Sequence, residues 1–500
     1  MILGAIDIGS HATKLKIVEY KKEKYKTLEE IIYPLSLGKS VFESKKIDAK
    51  HRDALIKCLK HFQSLMIDYG VEHYRALATG VFRNARNGQI VIELILRQIN
   101  LKVEIVEESI ERFLTYISLK DILPDYFEMR RQGMLLIEVG SSSSEIIVYN
   151  NNKMMRNYEI HIGTLSMKEL IYNIRRDSLN VPQILEDYIY ASTENLQNYL
   201  IRKKMRHFVI LGTHIKRLHQ LFGDKPKGFS AACFNEIVDK LNTRDKGLKK
   251  TLEREGLNYD EILSSMTIYS QFVKHTEADF ISVPDVNLRD GILRSLVENT
   301  FDYDRKVVFT QDILKAAKQI AKRHHSTASH INQVDKFVVK IFDAFKKEEK
   351  LSEKDLLLMR LVSILHETGK FSKQVNYNQA TYHAILNASL LGVSQDMLYQ
   401  AAQISNYFFY FSQGSEIVNR SYKTSTKNIK LGLLIALADA LDKSKLAHIT
   451  IKNIKLEKKH LRIVIKKQSN AFFEKWTVRA LNQHFSEILA RDVVLEEHAS

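Results

Sequence analysis

Two copies of one short pattern hold the residues in this chain that are best suited to chemistry. Ala5–Lys14 and Leu136–Glu145 each contain an apolar stretch, an acidic residue near its end, a glycine, and small, mostly hydroxylated residues. The acidic residues are Asp7 and Glu138. A glycine-led turn reaches positive φ and brings backbone N–H groups close to an anion. The neighbouring carboxylate can hold a metal ion or position a water molecule. Two such turns facing each other predict a phosphate clamp.

Composition and charge narrow the class of protein. The 500 residues include 75 Lys and Arg against 59 Asp and Glu, a formal net charge of +16, and 45% of the chain is apolar. This charge favours a polyanionic partner such as polyphosphate, a nucleotide, nucleic acid or an anionic membrane. The alternative is a lysine-rich solvated surface. The length and apolar content predict about two to four domains.

Cysteine usage and apolar stretches bear on where the protein works. Cys58 and Cys233 lie far apart and match no metal-binding spacing, so we expect reduced thiols and a cytoplasmic location. The first residues lack the basic region of a signal peptide. A membrane-spanning helix needs about 18 or more apolar residues in a row, and the sequence has no such stretch. The sequence therefore predicts no membrane partner.

The elements that must position the two turns fall into four regions. Residues 1–125 and 126–304 each begin with one of the turns and mix strand and helix patterns. This predicts a duplicated α/β fold with a cleft between its halves. Residues 305–447 are helical in period almost throughout, and residues 448–500 follow a strand–strand–helix–strand pattern. We expect an α/β core followed by an all-α domain and a small α+β tail.

Four further segments place small or basic residues at the ends of strands or the starts of helices. Ala78–Asn87 follows a strand and enters a helix, which puts Arg83 near a helix N-terminus, where anions are stabilised. Gly163–Met167 opens a helix, Leu211–Thr213 ends a strand, and Leu288–Leu293 precedes an apolar helix. These segments extend the predicted anion site beyond the two turns.

Taken in order, these motifs resemble the exopolyphosphatase / guanosine pentaphosphate phosphohydrolase (Ppx/GppA) family. Its D-x-G-S-N-S turn is matched by Asp7–Ala12, its A-T-S-A-x-R-x-A-x-N segment by Ala78–Asn87, and its D-I-G-G-G-S-x-E turn by Glu138–Glu145. The resemblance implies an actin-like core of duplicated ribonuclease-H-like halves. It also implies removal of the terminal phosphate of inorganic polyphosphate or the γ-phosphate of guanosine pentaphosphate. Mg²⁺ as cofactor and a homodimer follow from the same resemblance, and nucleic acid is not an expected partner.

The resemblance assigns phosphate-binding roles to individual residues. Both turns would hold the phosphate through backbone N–H groups, and Arg83 would pair with it, bidentately where the geometry allows. Lys14 stands where many members carry a basic residue, and His11 replaces an asparagine, either donating to phosphate or capping the turn. The predicted phosphate-binding residues are Gly9, Ser10, His11, Lys14, Arg83, Gly140, Ser141, Ser142, Ser143, Gly212 and Thr213.

The segment that carries the family's catalytic glutamate departs from its pattern. The family reads I-S-G-x-E-E-A-R, and Ile105–Arg112 occupies that place. When the two are aligned on the arginine, the catalytic glutamate falls on Ile110, which cannot accept a proton. Glu111, one place further along, and Glu108, two places before, are the possible substitutes. The alternative is that Glu111 is an ordinary exposed helix residue.

The second turn departs as well, because Glu138 replaces the family's aspartate and is longer by one methylene. A misplacement of ~1 Å can lower a rate on the order of 10²-fold. Glu138, Glu145 and Glu111 are the predicted catalytic carboxylates that position water, and Asp7 and Glu138 are the predicted metal ligands. The alternative for Glu138 is a solvated carboxylate at the end of a strand.

The helical region looks like the HD-type domain that many members carry. His330, His366 and Asp439 occupy places typical of ligands to a divalent metal, but Glu367 stands where an aspartate is usual. We therefore expect buried, hydrogen-bonded histidines in this region rather than a metal centre.

Two other functions compete with hydrolysis. A catalytically weakened relative would bind polyphosphate or a guanosine tetra- or pentaphosphate as a sensor or regulatory protein, and Ile110 motivates this alternative. An actin-like ATPase or sugar kinase is a further alternative, but no adenosine-pocket motif occurs in the sequence. A phosphohydrolase acting on a linear polyanion is the function that the motifs favour.

Overall fold

The computed structural model describes nearly the whole chain. The described residues are 1–141, 143–177, 180–301, 303–372, 377–415, 425–467 and 470–497. The chain divides into two compact units, Met1–Val307 and Val308–Ser500. The first unit contains the twin turns, and the second contains the predicted helical region.

The first half of the first unit is built around a mixed sheet with the strand order β3-β2-β1-β4-β5. Its elements are β1 (Ile2–Ile8), β2 (Ala12–Lys21), β3 (Lys24–Pro34), α1 (Leu37–Ser44), α2 (Ala49–Asp68), β4 (His73–Ala78), α3 (Gly80–Asn84), α4 (Gly88–Ile99), β5 (Val103–Ile105), α5 (Glu108–Ile117), α6 (Leu119–Ile122) and α7 (Tyr126–Gln132). Strands β1, β2 and β3 form an antiparallel meander, and β4 and β5 continue the sheet parallel to β1.

The second half repeats this plan in a sheet with the order β10-β11-β9-β6-β7-β8. Its elements are β6 (Met134–Val139), β7 (Ser144–Asn150), β8 (Lys153–Ile160), α8 (Thr164–Asp177), α9 (Val181–Ile201), β9 (His207–Leu211), α10 (Thr213–Phe222), β10 (Gly228–Ser230), α11 (Ala231–Asn242), α12 (Lys246–Arg254), α13 (Tyr259–Val273), β11 (Phe280–Ser282) and α14 (Leu288–Phe301). Again an antiparallel meander, β6-β7-β8, is followed by strands parallel to its first member, here β9 and β11, and β10 pairs antiparallel with β11 at the edge.

Each half buries its own hydrophobic core, and the matching sheet orders confirm the duplicated α/β fold predicted from the twin turns. In both halves the glycine turn joins the first two strands of the meander. The parallel strand beside the first strand ends next to that turn, so its following loop and helix lie at the same edge of the sheet. The fold thereby places the predicted motifs together within each half.

Helix α14 returns from the second half and packs on α5 and β1 of the first half. A Cβ atom at Gly291 would collide with the carbonyl oxygen of Leu114 on α5, so only glycine allows this close approach. Two ion pairs flank the contact, Arg289 to Glu30 at 2.8 Å and Lys16 to Asp290 at 2.7 Å. The predicted Leu288–Leu293 motif therefore serves to join the two halves.

The remaining elements are helical and then mixed. They are α15 (Tyr303–Arg323), α16 (Ala328–Phe345), α17 (Glu353–Leu365), a 3₁₀ helix (Thr368–Ser372), α18 (Asn378–Leu386), α19 (Gln395–Gln413), α20 (Thr426–Ala440), β12 (Ile449–Leu456), β13 (His460–Lys467), α21 (Phe472–Ala480), α22 (Asn482–Leu489) and β14 (Asp492–Glu497).

The tail shares one hydrophobic core with the helices before it. Two helices, α21 and α22, stand where the sequence pattern predicted one, because the chain turns at Leu481. None of the helices in the described part of the chain combines the length and apolar character that spanning a lipid bilayer requires.

Candidate active site

The two glycine turns are closed by the same backbone hydrogen bond. The Gly9 N–H donates to the Ala12 carbonyl at 3.0 Å, and the Gly140 N–H donates to the Ser143 carbonyl at 3.0 Å. Neither glycine has a positive φ, so the predicted reason for glycine is wrong. Space is the constraint at Gly140, where a Cβ would lie 3.0 Å from the Ser143 carbonyl oxygen, whereas a Cβ at Gly9 would make an ordinary contact of 3.4 Å with the Ala12 carbonyl oxygen. Ser142, which we predicted to bind phosphate, lies outside the described residues.

The first turn is held in place by the chain that leads into α1. The Ser10 carbonyl accepts a hydrogen bond from the Gly38 N–H at 2.8 Å, and the His11 carbonyl accepts one from the Leu35 N–H at 3.0 Å. The His11 side chain is exposed, which leaves the outer side of the turn open to solvent. The turn is therefore both fixed and accessible, as an anion-binding loop requires.

Asp7 and Lys14 lie directly opposite each other on β1 and β2. The Lys14 ammonium is 3.6 Å from the Asp7 carboxylate. Burial raises the pKa of Asp7, and the nearby charges of Lys14 and Arg289 oppose that rise. Asp7 is thus a buried carboxylate with a cation across the hairpin.

Arg83, the fourth residue of α3, lies beside the helix that carries the catalytic segment. Its guanidinium donates to the Val106 carbonyl and to the Glu111 carboxylate, both at 2.7 Å. The position follows from the sheet, since the Thr79 N–H at the start of α3 donates to the Ile8 carbonyl at the end of β1. Glu111 is 29% exposed and ion-paired, so it is not an ordinary solvated helix residue.

Two carboxylates, one from each half, act electrostatically on Glu111. Burial raises the pKa of Glu111, the Arg83 guanidinium lowers it, and the charges of Asp7 and Glu138 raise it further. Arg83 and Glu111 are in direct contact, and Asp7 and Glu138 are near enough for their charges to change the pKa of Glu111.

Glu138 and Glu145 form a cross-strand pair on β6 and β7. Directly opposed side chains share one face of a sheet, and two like charges there are destabilising unless something neutralises them. Burial raises the pKa of Glu138, and burial raises that of Glu145 to about 7 although Arg112 opposes the change. Both acids thus have pKa values above those of solvated glutamates.

Helix α5 supplies the positive charge and the hydrogen-bond donors that stabilise these two acids. Arg112 is buried and ion-pairs with Glu145, and its guanidinium donates to the Ser143 hydroxyl and the Glu108 carboxylate, each at 2.6 Å. The Ser143 side chain is therefore held by α5, which leaves its backbone for any anion. One turn further along, the Tyr116 hydroxyl donates to the Glu138 carboxylate at 2.6 Å.

Gly212 lies at the end of β9, which runs beside β6. It has a φ of 142°, and a Cβ atom there would lie 3.0 Å from the Val139 carbonyl oxygen and 3.1 Å from the Tyr269 hydroxyl. Thr213 opens α10 directly after it. The loop that the sequence predicted to bind phosphate thus lies next to the second glycine turn and needs glycine for both φ and space.

In the helical unit, His330, His366 and Asp439 place potential ligand atoms within 4.8 Å of one another. His330 already bridges Asp442 at 2.9 Å and Asp439 at 3.1 Å, and the Nδ1 of His366 bonds to the Ser363 carbonyl at 2.8 Å. All three residues are buried. The histidines are buried and hydrogen-bonded, and the Nε2 of His366 lies 3.6 Å from the Asp439 carboxylate without a hydrogen bond among the described residues.

The negative charges of the carboxylates in and beside this cluster are neutralised by cationic side chains of the protein. Burial lowers the pKa of His330, but hydrogen bonds from its ring to the two aspartates raise it to about 9. The Lys443 ammonium donates to the other oxygen of Asp439 at 2.9 Å, and Glu367 ion-pairs with Lys370 and Lys445. In the structure, the charges of this donor set are therefore balanced by His330 and lysines.

Comparison with known proteins decides the family. A family model described as the Ppx/GppA phosphatase family matches residues 16–300 of the chain. The chain belongs to the Ppx/GppA phosphatase family. The match begins after the first glycine turn, extends through both predicted halves of the core and ends within α14.

Curated Ppx/GppA relatives are distant. A bifunctional 3-dehydroquinate synthase/phosphatase from Fusobacterium nucleatum is 22% identical over 323 residues, which are 59% of this chain and 46% of that protein. Exopolyphosphatase 1 of Mycobacterium bovis is 23% identical over 147 residues, which are 29% of this chain and 42% of that protein. The chain thus spans less than half the length of these two relatives.

Among solved structures, this chain is similar to a Ppx/GppA family member from Aquifex aeolicus. The TM-score is 0.50 and the identity 22%, over 60% of this chain and 99% of that chain. At this level of identity the likeness concerns the fold, and it confirms the actin-like duplicated core predicted from the Ppx/GppA motifs.

Sequence reasoning missed the roles of Arg112 and Tyr116 at this Ppx/GppA site. Arg112 was only an anchor for alignment, and Tyr116 had no place in any motif. Their spacing of four residues on a strongly amphipathic helix was the available signal, because residues i and i+4 share a helix face. That signal does not tell which partners the face will meet.

Proposed function

We propose that this protein is a phosphohydrolase that releases the terminal phosphate of inorganic polyphosphate or the γ-phosphate of guanosine pentaphosphate. The observation that carries the proposal is the pairing of Glu111 with Arg83 beside Asp7 and Glu138. The family's glutamate position holds Ile110, and Glu111 supplies a carboxylate in the same region from the next position of α5.

Phosphate binding falls to the two turns and Arg83. The N–H groups of Gly9 and Gly140 close their own turns, so we assign phosphate binding to the backbone N–H groups of Ser10, His11 and Ser141. These lie at the same edges of their sheets as the starts of α3 and α10. Arg83 offers a planar guanidinium that matches a phosphate. A phosphate entering this point would compete with Glu111 for Arg83, and the released Glu111 carboxylate would then be available for the attacking water.

Water activation is assigned to Glu111 and Glu138. Phosphoryl transfer depends mainly on charge neutralisation and an oriented nucleophile, so the base needs correct placement and a pKa not far below neutral. Burial raises the pKa of both carboxylates in that direction. Glu145, the third predicted catalytic carboxylate, contributes through its ion pair with Arg112, which in turn holds the second turn.

The Mg²⁺ implied by the family resemblance fits the donors at this site. Asp7 and Glu138 offer the hard carboxylate oxygens that Mg²⁺ prefers, and both act electrostatically on Glu111. When bound there, the ion supplies positive charge against the phosphate oxygens. The same resemblance leads us to propose a cytoplasmic homodimer.

Phosphate release from long-chain polyphosphate and from guanosine pentaphosphate tests the proposal. We expect Glu111→Gln, Glu138→Gln and Arg83→Met each to lower the rate about 100-fold or more, as losses of acid–base or positioning groups do. Glu93→Gln, an exposed substitution on α4, is the matched control and should leave the rate unchanged. Release that is insensitive to both Glu111→Gln and Glu138→Gln would overturn the assignment.

The sensor alternative rests on the Arg83–Glu111 ion pair, which satisfies the guanidinium with a protein carboxylate. A protein of this kind would bind polyphosphate tightly and release no phosphate. Fluorescence or calorimetric binding of polyphosphate, measured with the release assay, separates the two functions.

A further inference from the structure

Two side chains on one face of α5 meet the two carboxylates of a single cross-strand pair. Arg112 ion-pairs with Glu145, and Tyr116, four residues later, hydrogen-bonds to Glu138 at 2.6 Å. The helix belongs to the first half of the core and the strands to the second. Tyr116 is buried, with 3% of its surface exposed, and its contact with Glu138 is partly buried.

The duplicated hairpin shows why the second carboxylate needs a donor. At the equivalent place in the first hairpin, the shorter Asp7 faces the Lys14 ammonium across the strands. Glu138 instead faces another acid, Glu145, and its longer side chain extends to the phenol on α5. A neutral hydroxyl donor fits this place because Arg112 already supplies the positive charge.

We infer that Tyr116 is a positioning residue, whose hydroxyl fixes the orientation of the Glu138 carboxylate where the two halves of the core meet. The inference deepens the proposed function and rests on it for its effect on rate. Tyr116 itself stays neutral, because burial and the nearby acids hold its pKa well above the usual range. It therefore donates a hydrogen bond at every working pH.

The ionisable groups around the Glu138 carboxylate belong to α5, β7 and α13; they are Glu108, Glu111, Arg112, Glu145 and Tyr269. None of these groups changes in Tyr116→Phe, so a fall in kcat reports the loss of the hydroxyl.

Tyr116→Phe removes the hydroxyl and keeps the ring. We expect kcat for polyphosphate to fall about tenfold with KM changed less than about twofold, since the base rather than the substrate contact is displaced. Tyr259→Phe is the matched control, a buried phenol that donates to the Leu241 carbonyl at 2.6 Å, and kcat should not change there. An unchanged kcat in Tyr116→Phe, or a KM effect alone, would overturn the inference.

A double-mutant cycle separates this inference from the proposed function. In the Glu138→Asp background the shorter acid no longer reaches the phenol, so Tyr116→Phe should have no further effect on rate or melting temperature. If no variant or wild type releases phosphate, the proposed function fails, and the melting temperatures still test the contact. Equal effects of Tyr116→Phe in both backgrounds would show that the hydroxyl does not act through Glu138.

Discussion

The core contains two hairpins of one design, and they balance their buried carboxylates differently. In the first hairpin, Asp7 lies across from Lys14, so the cation comes from the neighbouring strand. In the second, Glu138 lies across from Glu145, so the strands bring two acids together. Their compensation comes from α5, a helix of the other half.

The difference means that the first hairpin balances its charge locally and the second does not. A buried ion pair is stable only while both partners are present, because the remaining charge is otherwise left desolvated. The second hairpin therefore depends on the docking of α5, and its acids are held as the site requires only when the halves are joined. The two hairpins share the glycine turn but differ in which groups neutralise their carboxylates.

Removing the cation that neutralises each hairpin should give the largest difference in stability between the two. Arg112→Met leaves Glu145 buried without its partner and should lower the free energy of unfolding by about 3–5 kcal/mol. Lys14→Met removes a partly exposed cation, 36% accessible, and should cost less than about 1 kcal/mol. Urea unfolding at pH 7.5 measures both.

A companion variant identifies the cause of the Arg112 effect. Arg112→Met combined with Glu145→Gln removes both charges, so much of the lost stability should return. If the double variant is as unstable as Arg112→Met alone, the loss comes from packing of the arginine stem, and the contrast between the hairpins is not electrostatic.

The sequence predicted the parts of the site that lie within one stretch of chain. Both glycine turns, the loop at Gly212 and the helix after Ala78 are local patterns of strand, small residue and helix, and the structure has them at those places. The duplicated fold followed from the same patterns. Local order was readable because backbone geometry constrains which residues can form each turn.

Contacts between distant segments were not readable in this way. The sequence placed Glu111 one position from the family's glutamate, but it did not show that Arg83 would bond to it across the fold. The pairing of Tyr116 with Glu138 was equally hidden, because the register of β6 and β7 and the docking of α5 set it together. The reason for glycine at the turns was wrong for a related cause, since crowding within the turn depends on the folded chain.

Replacing Glu145 with glutamine should change how the free energy of unfolding depends on pH. The pKa of Glu145 rises from 4.5 to about 7 on folding. The folded state therefore binds more protons than the unfolded state between these values, and stability falls as the pH rises from 4.5 to 7. The contribution is on the order of 3 kcal/mol, at 1.36 kcal/mol per unit. Glu145→Gln should flatten that slope in urea unfolding, whereas exposed Glu93→Gln should leave it unchanged, and equal slopes for all three proteins would contradict the burial of Glu145.

The loops that follow β4 and β9 give the smallest expected difference between the two halves. Gly212 after β9 has a φ of 142° and lies against the Val139 carbonyl, whereas Gly80 after β4 has no positive φ and would place a Cβ at an ordinary contact distance of 3.4 Å from a guanidinium nitrogen of Arg83. Gly212→Ala should therefore cost about 1–3 kcal/mol in unfolding free energy, and Gly80→Ala less than about 1 kcal/mol. The glycines of the two loops would then be under different constraints, strict beside the hairpin that needs α5 and relaxed beside the one that does not. Similar losses at the two positions would show instead that both loops are equally crowded, so that the charge difference between the hairpins has no counterpart in the loops.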